Sequence, residues 1–356
     1  MANEPERPRV GVVIPAYNSR SDLHECLTYL GRSTYPHLEI VVVDNASIDD
    51  TVEYVKTHWP KLRLLLETTN TGYVGACRRG VRELEQRDVS YVALLNQDVM
   101  VKPDWLEPLV DYLEAHVDAA AAQPFILRSQ NERIVNSLGN HINFLGFGFA
   151  GGDGDRIENS RVQRFLKGPS EVTYTSGAAM LFRMDVVRQI GLFEDDFFMY
   201  HEDLDLGWRI RLAGWHSALV PNARVIHRYE FGRSARVKYE FGERNRLLVL
   251  LMNYHWLTWL LIFPAWFSVE IGVVTLSILK GWLPEKMRGY RYVILNLRQI
   301  LEARRRHQAL RRVAEHEVVR PFRGDISYQV YTPLVLRIAN PLLKIYWSII
   351  RRLIVW

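Results

Sequence analysis

Glu202, Asp203 and Asp205 cluster in the segment FFMYHEDLDLGWRIR (Phe197–Arg211), among aromatic and aliphatic neighbours. A carboxylate in a partly apolar setting holds its proton more tightly than in water, which suits general-base work. Acidic residues at this place also favour a helix N-terminus on electrostatic grounds alone. A further carboxylate, Asp98, closes Asn96-Gln97-Asp98 directly after the apolar run Tyr91–Leu95. At a strand tip it could bind a hard divalent cation bridging two phosphates, and such an ion neutralises charge building on a departing diphosphate.

These groups need a scaffold. Val10–Pro15 (VGVVIP) and Glu39–Asp44 (EIVVVD) are short β-branched runs that read as buried parallel strands. Leu23, Leu27 and Leu30 mark a helix between them, with Asp22 and Glu25 as a capping pair. Asp50-Thr51 opens a second helix, followed by strands over Leu62–Leu66 and Tyr91–Leu95. The alternation predicts an α/β fold with a mostly parallel sheet flanked by helices, and ligands in such sheets sit beyond the carboxyl ends of the strands. Polar residues follow three of those ends: Pro15-Ala16-Tyr17-Asn18, Asp44-Asn45-Ala46-Ser47 and Asn96-Gln97-Asp98. Further on, GNHINFLGFGFAGGDG (Gly139–Gly154) reads as a flap or a plain loop over the core.

Taken in order, VVIPAYN, VVVDNASIDDT, NTGYVGACRRG, LLNQDV, SGAAMLFRMDVVRQIGLFEDDFFMYHEDLDLGWRIRLAGW and VPNARVIH span roughly Val10–Asn245. This ordered set resembles the family 2 inverting glycosyltransferases of GT-A fold, in particular the rhamnosyltransferase-like branch. The resemblance implies that Pro15, Tyr17 and Asn18 touch a nucleoside, with Asp44 bonded to its base or ribose and Asn45, Asn96 and Gln97 nearby. It implies backbone approach to the nucleotide at Gly72 and Gly75, and Arg78 or Arg79 close to the diphosphate. Asp98 would ligate Mg²⁺ or Mn²⁺, with His227 on the metal or diphosphate. Asp203, beside Glu202, would deprotonate the acceptor hydroxyl. An Arg-Asn pair before the tail is also a family habit, which Arg244-Asn245 resembles. Two departures stand out: Asn96 replaces the first aspartate of a D-x-D, and Arg79 stands where relatives often carry asparagine.

The organisation implied is a glycosyltransferase domain over residues 1–245, with a nucleotide-binding half at about 8–125 and an acceptor half at about 126–245. A helical tail then covers residues 246–356. Leu247–Phe263 is 17 mostly apolar residues, followed by Pro264 and a second apolar stretch to Leu279 interrupted by Glu270. Each half falls short of the roughly 20 residues a membrane crossing needs. Gly281–Arg323 holds 11 Lys and Arg against 4 Asp and Glu, a net +7 in a chain of net charge +5. A single crossing would put this basic segment opposite a cytosolic active site, against the positive-inside tendency. Re-entrant or interfacial helices on the cytoplasmic face of the membrane avoid the conflict, with four tryptophans (Trp256, Trp259, Trp266, Trp282) at the headgroups. Pro333–Trp356 repeats the pattern with Arg337, Lys344, Arg351 and Arg352. Core or dimer helices are the competing use of these stretches, so a homo-oligomer stays open.

Beside apolar helices, the basic segment points to anionic lipid or a lipid-pyrophosphate acceptor, not nucleic acid. Two cysteines, Cys26 and Cys77, make neither a disulfide scaffold nor a metal site. The charged, proline-bearing start carries no signal-peptide pattern. The partners expected are therefore a nucleotide-diphosphate sugar, a lipid-linked saccharide acceptor and the membrane surface. The same transfer onto a soluble or protein acceptor, and a catalytically inactive sugar-nucleotide-binding module, are the alternatives. A nucleotidyltransferase would need a triphosphate loop that PAYNSRSD does not supply.

Overall fold

The computed structural model describes residues 7–228, 235–327 and 334–356. The charged start at residues 1–6 and Pro333, both used in the sequence reading, lie outside them. Along the chain come β1 (Val10–Ala16), α1 (Arg20–Leu30), β2 (Leu38–Asp44), α2 (Thr51–His58), β3 (Arg63–Leu66), α3 (Gly72–Glu85) and β4 (Tyr91–Leu95). Next are β5 (Val99–Val101), α4 (Glu107–Ala115), β6 (Ala119–Arg128), β7 (Asn131–Ser137), β8 (Asn140–Ile142) and β9 (Gly148–Ala150). Then follow α5 (Ser160–Phe165), β10 (Ser170–Val172), β11 (Ala179–Arg183), α6 (Met184–Ile190), α7 (Glu202–Leu212) and β12 (His216–His227). The remainder is helical: α8 (Ala235–Asn253), α9 (Trp256–Leu279), α10 (Leu283–Leu295), α11 (Leu297–Ala309), α12 (Glu315–Val319) and α13 (Leu334–Leu353).

Two compact units emerge, each assembled from separated segments. The first comprises Met1–Gly139, Gly152–Phe198 and His216–Tyr229; the second comprises Asn140–Gly151, Met199–Trp215 and Glu230–Trp356. In the first unit the strand order is β10-β12-β6-β11-β4-β1-β2-β3, with β5 on β12 and β7 on β6. β1 runs parallel to β2 and β4, β2 to β3, and β6 to β12, while β11 is reversed between β4 and β6. β1 is buried along its whole length, which is why its sequence is continuously apolar instead of alternating. α3 lies directly on it: a Cβ at Gly80 would come within 2.3 Å of Val13.

α1 starts at Arg20, but Asp22 and Glu25 do not cap it. Both carboxylates accept from Arg228 at the end of β12, Asp22 at 2.8 Å. The guanidinium is the stronger partner because it brings charge as well as hydrogen bonds.

In the second unit, the glycine- and phenylalanine-rich stretch is an ordered ribbon in place of a flap. β8 and β9 pair antiparallel, and Ile142, Phe144 and Leu145 between and beside them are fully buried. Phe144 stacks on Trp347 with ring centroids 4.8 Å apart, and Asn143 Nδ2 donates to the carbonyls of Arg323 and Asp325. The apolar tail also divides differently from the sequence reading. The break falls at Tyr254–His255, where α8 ends, and α9 runs unbroken through Pro264 as a 24-residue helix long and apolar enough to cross a membrane. Arg304 and Gln308 of α11 donate to carbonyls of Leu251 and Asn253, satisfying the orphan C-terminal acceptors of α8.

Candidate active site

The ends of β1, β2 and β4 meet, as their order in a parallel sheet requires. Tyr17 N donates to Gln97 Oε1 at 2.8 Å, Asn18 N to Ser47 Oγ at 2.9 Å, and Ile48 N to Asn18 Oδ1 at 2.9 Å. Pro15 sits opposite Val43 in the register of β1 and β2. Asp44 accepts from Ser47 N through Oδ2, while its Oδ1 and the Oδ1 of Asn96 are buried with no hydrogen-bond partner among the described residues. An orphaned buried acceptor costs on the order of 1–3 kcal/mol, so two of them at converging strand ends mark where a ligand's hydroxyl or N–H groups would be satisfied.

Several neighbours turn out to serve the chain itself. Asn45 donates to Asn70 Oδ1 and Gly72 O and accepts from Thr71 N and Oγ1, so its amide fastens the turn ahead of α3. Gly72 has φ +73°, and a Cβ there would lie 2.3 Å from Phe198 O; at Gly75 it would lie 2.4 Å from Thr71. The close approach that these glycines allow is thus of Phe198 and Thr71. Arg78 pairs with Asp195, and Arg79 lies 3.6 Å from Glu67. Together with Arg82, Thr71 and Phe197 they line a cavity of about 360 Å³ on the face of α3, in which three guanidiniums face two carboxylates.

Asp98 and His227 come together because β12 pairs with β5, His227 standing opposite Val99. His227 Nε2 is 3.3 Å from Asp98 Oδ1. Arg228 N donates to the Asp98 carbonyl, so the two strand ends are also tied through the main chain. No group of three or more His, Cys, Asp or Glu that could cage an ion exists among the described residues. One carboxylate and one imidazole fit Mg²⁺ or Mn²⁺ of the kind that fills its remaining positions with water and substrate phosphate.

Glu202 and Asp203 open α7 in the second unit. The turn before them is strained: Tyr200 and His201 both have φ 68°. Side-chain-bearing residues in that region cost of order 1–3 kcal/mol each and persist only where the surroundings fix them. Asn245, fully buried on α8, does so by donating Nδ2 to the carbonyls of Met199 at 2.9 Å and Tyr200 at 2.7 Å. Arg244, held over the Phe241 and Tyr292 rings, donates to Asn245 Oδ1 and sets the amide's orientation. The Arg-Asn pair thus holds the turn that delivers the carboxylates.

Burial, and then the neighbouring Asp203 charge, push Glu202 up to about 8. Its Oε2 is buried without a hydrogen-bond partner. Burial and the adjacent charge thus favour the protonated form of Glu202, while the half-buried Asp203 accepts from Leu204 N through Oδ1. Burial drives His201 down to about 4, keeping it neutral. Leu204, Leu206 and Ile210 line the buried side of α7 as expected. Asp205 takes no part in a site: Arg209 Nε and Asn253 Nδ2 donate to it, each at 2.8 Å, in a closed interior pair. Asn136, Asp153 and Arg228, which frame the strand ends, are residues that spacing does not mark, save that Arg228 follows His227 directly.

This arrangement has counterparts. Over 230 residues the chain is 29% identical to the N-acetylglucosaminyl-diphospho-decaprenol L-rhamnosyltransferase of Mycobacterium tuberculosis, covering 61% of this chain and 75% of that protein. It is similar in fold to S. aureus TarS 1-349, solved in complex with UDP, with a TM-score of 0.51, 15% identity and coverage of 97% of this chain and 90% of that one. GalNAc-T7, solved with UDP, GalNAc and Mn²⁺, gives a TM-score of 0.55 at 16% identity over 70% of this chain; the chain spans 48% of GalNAc-T7's length. The family model for glycosyl transferase family 2 matches residues 11–191. That is just over half of the chain, and the protein belongs to glycosyl transferase family 2, a glycosyltransferase built on a mixed α/β fold.

Proposed function

We propose that this glycosyltransferase moves a sugar, rhamnose being the leading candidate, from a nucleotide-diphosphate donor to a hydroxyl of a lipid-linked saccharide in surface-glycan assembly. The observation that carries the reading is the convergence of three strand ends that leave Asp44 Oδ1 and Asn96 Oδ1 buried without partners. Asp44 and Asn96 would accept from the base or ribose, flanked by Pro15, Tyr17, Asn18 and Gln97, while Arg78 and Arg79 bring positive charge to the diphosphate. Asp98 and His227 would hold Mg²⁺ or Mn²⁺, which would supply positive charge for the leaving diphosphate. Asp203 takes the proton of the attacking hydroxyl, which enters opposite the leaving group, so the anomeric configuration inverts. The mycobacterial relative's name, an L-rhamnosyltransferase onto a decaprenol-diphosphate saccharide, supports the donor and acceptor classes. A screen of purified protein against UDP-, GDP- and dTDP-sugars with Mn²⁺ or Mg²⁺, read as thermal shift and transfer to polyprenyl-diphosphate saccharide, tests this. Transfer only to a soluble glycan would refute the lipid-linked acceptor, and no response to any donor would refute the whole reading.

Residues 246–356 would hold the enzyme on the cytoplasmic membrane surface. One face of α9, with Trp256, Leu260, Phe263, Phe267, Ile271 and Ile278, is exposed. On α13, Leu334, Ile338, Leu342, Ile345, Ile349 and Leu353 form a second exposed stripe, with Lys344, Arg351 and Arg352 exposed alongside. Thr258, Ile262, Ala265 and Val273 on the opposite side of α9 are buried in protein, and Glu270, at the edge of the exposed stripe, pairs with Arg246 and Lys286 and accepts from Tyr290. A helix exposed and apolar on one side and packed against protein on the other suits insertion into one leaflet. Phe263→Ser/Phe267→Ser should lose flotation with anionic phosphatidylglycerol vesicles, whereas the unmodified protein keeps it in high salt. Flotation of the double variant at the unmodified level would remove this assignment.

A further inference from the structure

We infer that Asn136 fixes the tautomer of His227, so that Nε2 presents its lone pair toward Asp98, and that Asp153 and Arg128 hold Asn136 in that role. The inference rests on Asp98 and His227 as the metal pair proposed above. Arg128 grips Asp153 through Nε and Nη2, with contacts of 3.2, 2.8 and 2.8 Å. A carboxylate paired with a guanidinium only accepts hydrogen bonds, so the end of the Asn136 amide lying 3.3 Å from Asp153 Oδ1 is its nitrogen. The amide oxygen then faces His227, 2.8 Å from Nδ1. A carbonyl oxygen needs a donor, which puts a hydrogen on Nδ1, so in the neutral ring that ligates a metal the lone pair is on Nε2.

Nε2 lies 3.3 Å from Asp98 Oδ1, another acceptor. Two acceptors facing each other are brought into attraction by a cation between them, which is the chemistry of a carboxylate-imidazole ligand pair. The backbone is shaped for this purpose. Val135 pairs with Leu127 and Ser137 with Ile126, leaving Asn136 as the extra residue of an irregularity in β7. Such bulges re-aim single side chains beside active sites. Asn136 and His227 are 6% and 7% exposed, so water competes little for the contact. Asn136 is thus a positioning residue, acting on the ion through His227.

The test measures binding of Mn²⁺ alone to the full chain by electron paramagnetic resonance, with melting curves in parallel. Asp98→Asn and His227→Ala should lose binding, and Asn136→Leu should weaken it by roughly 10–100-fold, the usual loss when the partner of a ligating histidine is removed. Should Asn136→Leu fail to fold, ¹⁵N spectra of histidine-labelled, metal-free protein decide the matter, with His227 assigned by its loss in His227→Gln. The Nδ1–H form is expected. An Nε2–H ring, or a folded Asn136→Leu that binds Mn²⁺ like the parent, overturns the inference. Undiminished binding in both Asp98→Asn and His227→Ala would instead overturn the metal pair on which it stands.

Discussion

Replacing Asp203 by Asn should lower sugar transfer by about 10²–10⁴-fold while leaving donor binding close to that of the parent protein, because a positioned general base contributes roughly that factor. The substitution keeps the shape of the side chain and its acceptor for Leu204 N, so α7 retains its start. The negative charge and the capacity to take a proton are removed together. Glu202 is a poor replacement, since burial, the larger cause of its raised value, persists once the Asp203 charge is gone. Two measurements separate base loss from misfolding: nucleotide-sugar affinity by calorimetry and turnover under single-turnover conditions. Normal turnover in Asp203→Asn would end the assignment, and equal loss of affinity and turnover would recast Asp203 as a binding residue.

Arg246→Met should destabilise the second unit by about 3–5 kcal/mol, the typical cost of removing one partner from a buried ion pair. Arg246 is 1% exposed and faces two carboxylates, with Nη2 2.9 Å from Glu243 and in contact with Glu270. Lys286, equally buried, pairs with the same two, 2.6 Å from Glu243 and 2.5 Å from Glu270. Two cations and two anions balance; methionine leaves one negative charge stranded between α8 and α9. Burial alone would raise Glu243, yet Arg246 and Lys286 hold it down to about 2. Its folded value lies below the ordinary 4.5, so the stability it confers is present above pH 4.5 and lost as pH falls towards 2. In Arg246→Met the acid transition should move to higher pH, and the urea midpoint should fall. Adding Glu243→Gln restores the balance and should recover part of the loss. An unchanged midpoint in the single variant would mean that the network contributes nothing to stability.

β1 and β4 are legible because they are buried along their whole length and therefore continuously apolar, and because a parallel sheet delivers successive strand ends to one edge. That logic brings Tyr17, Asn18, Asp44, Asn96 and Gln97 together from the sequence alone. What a sequence does not carry is direction. The net +7 of Gly281–Arg323 looks like a lipid-binding patch, yet Lys286, Arg288, Arg304, Arg311 and Arg323 are engaged with Glu243, Glu240, a main-chain carbonyl, Glu315 and Asp325. Composition counts charges without saying which are already answered. Asp22 and Glu25 have the spacing of a capping pair, but Arg228, some 200 positions away, outbids the helix terminus. The Gly- and Phe-rich stretch reads as a flap or a plain loop because its glycines dominate the pattern, whereas Phe144 has Trp347 to stack on. Asn136 was invisible for a similar reason: its position is fixed by a register irregularity that only pairing with β6 reveals.

Because the chain passes from one unit to the other after Gly139, Gly151, Phe198 and Trp215 as well as ahead of the helical region, no single cut frees either unit whole. Deleting residues 246–356 would sever α8 and strip Asn140–Gly151 and Met199–Trp215 of the helices they belong with. A shortened enzyme that fails to transfer sugar therefore says little about lipid attachment. For the same reason, hybrids between relatives that differ in donor and acceptor are better made by exchanging matched segments than by joining an N-terminal half to a C-terminal one.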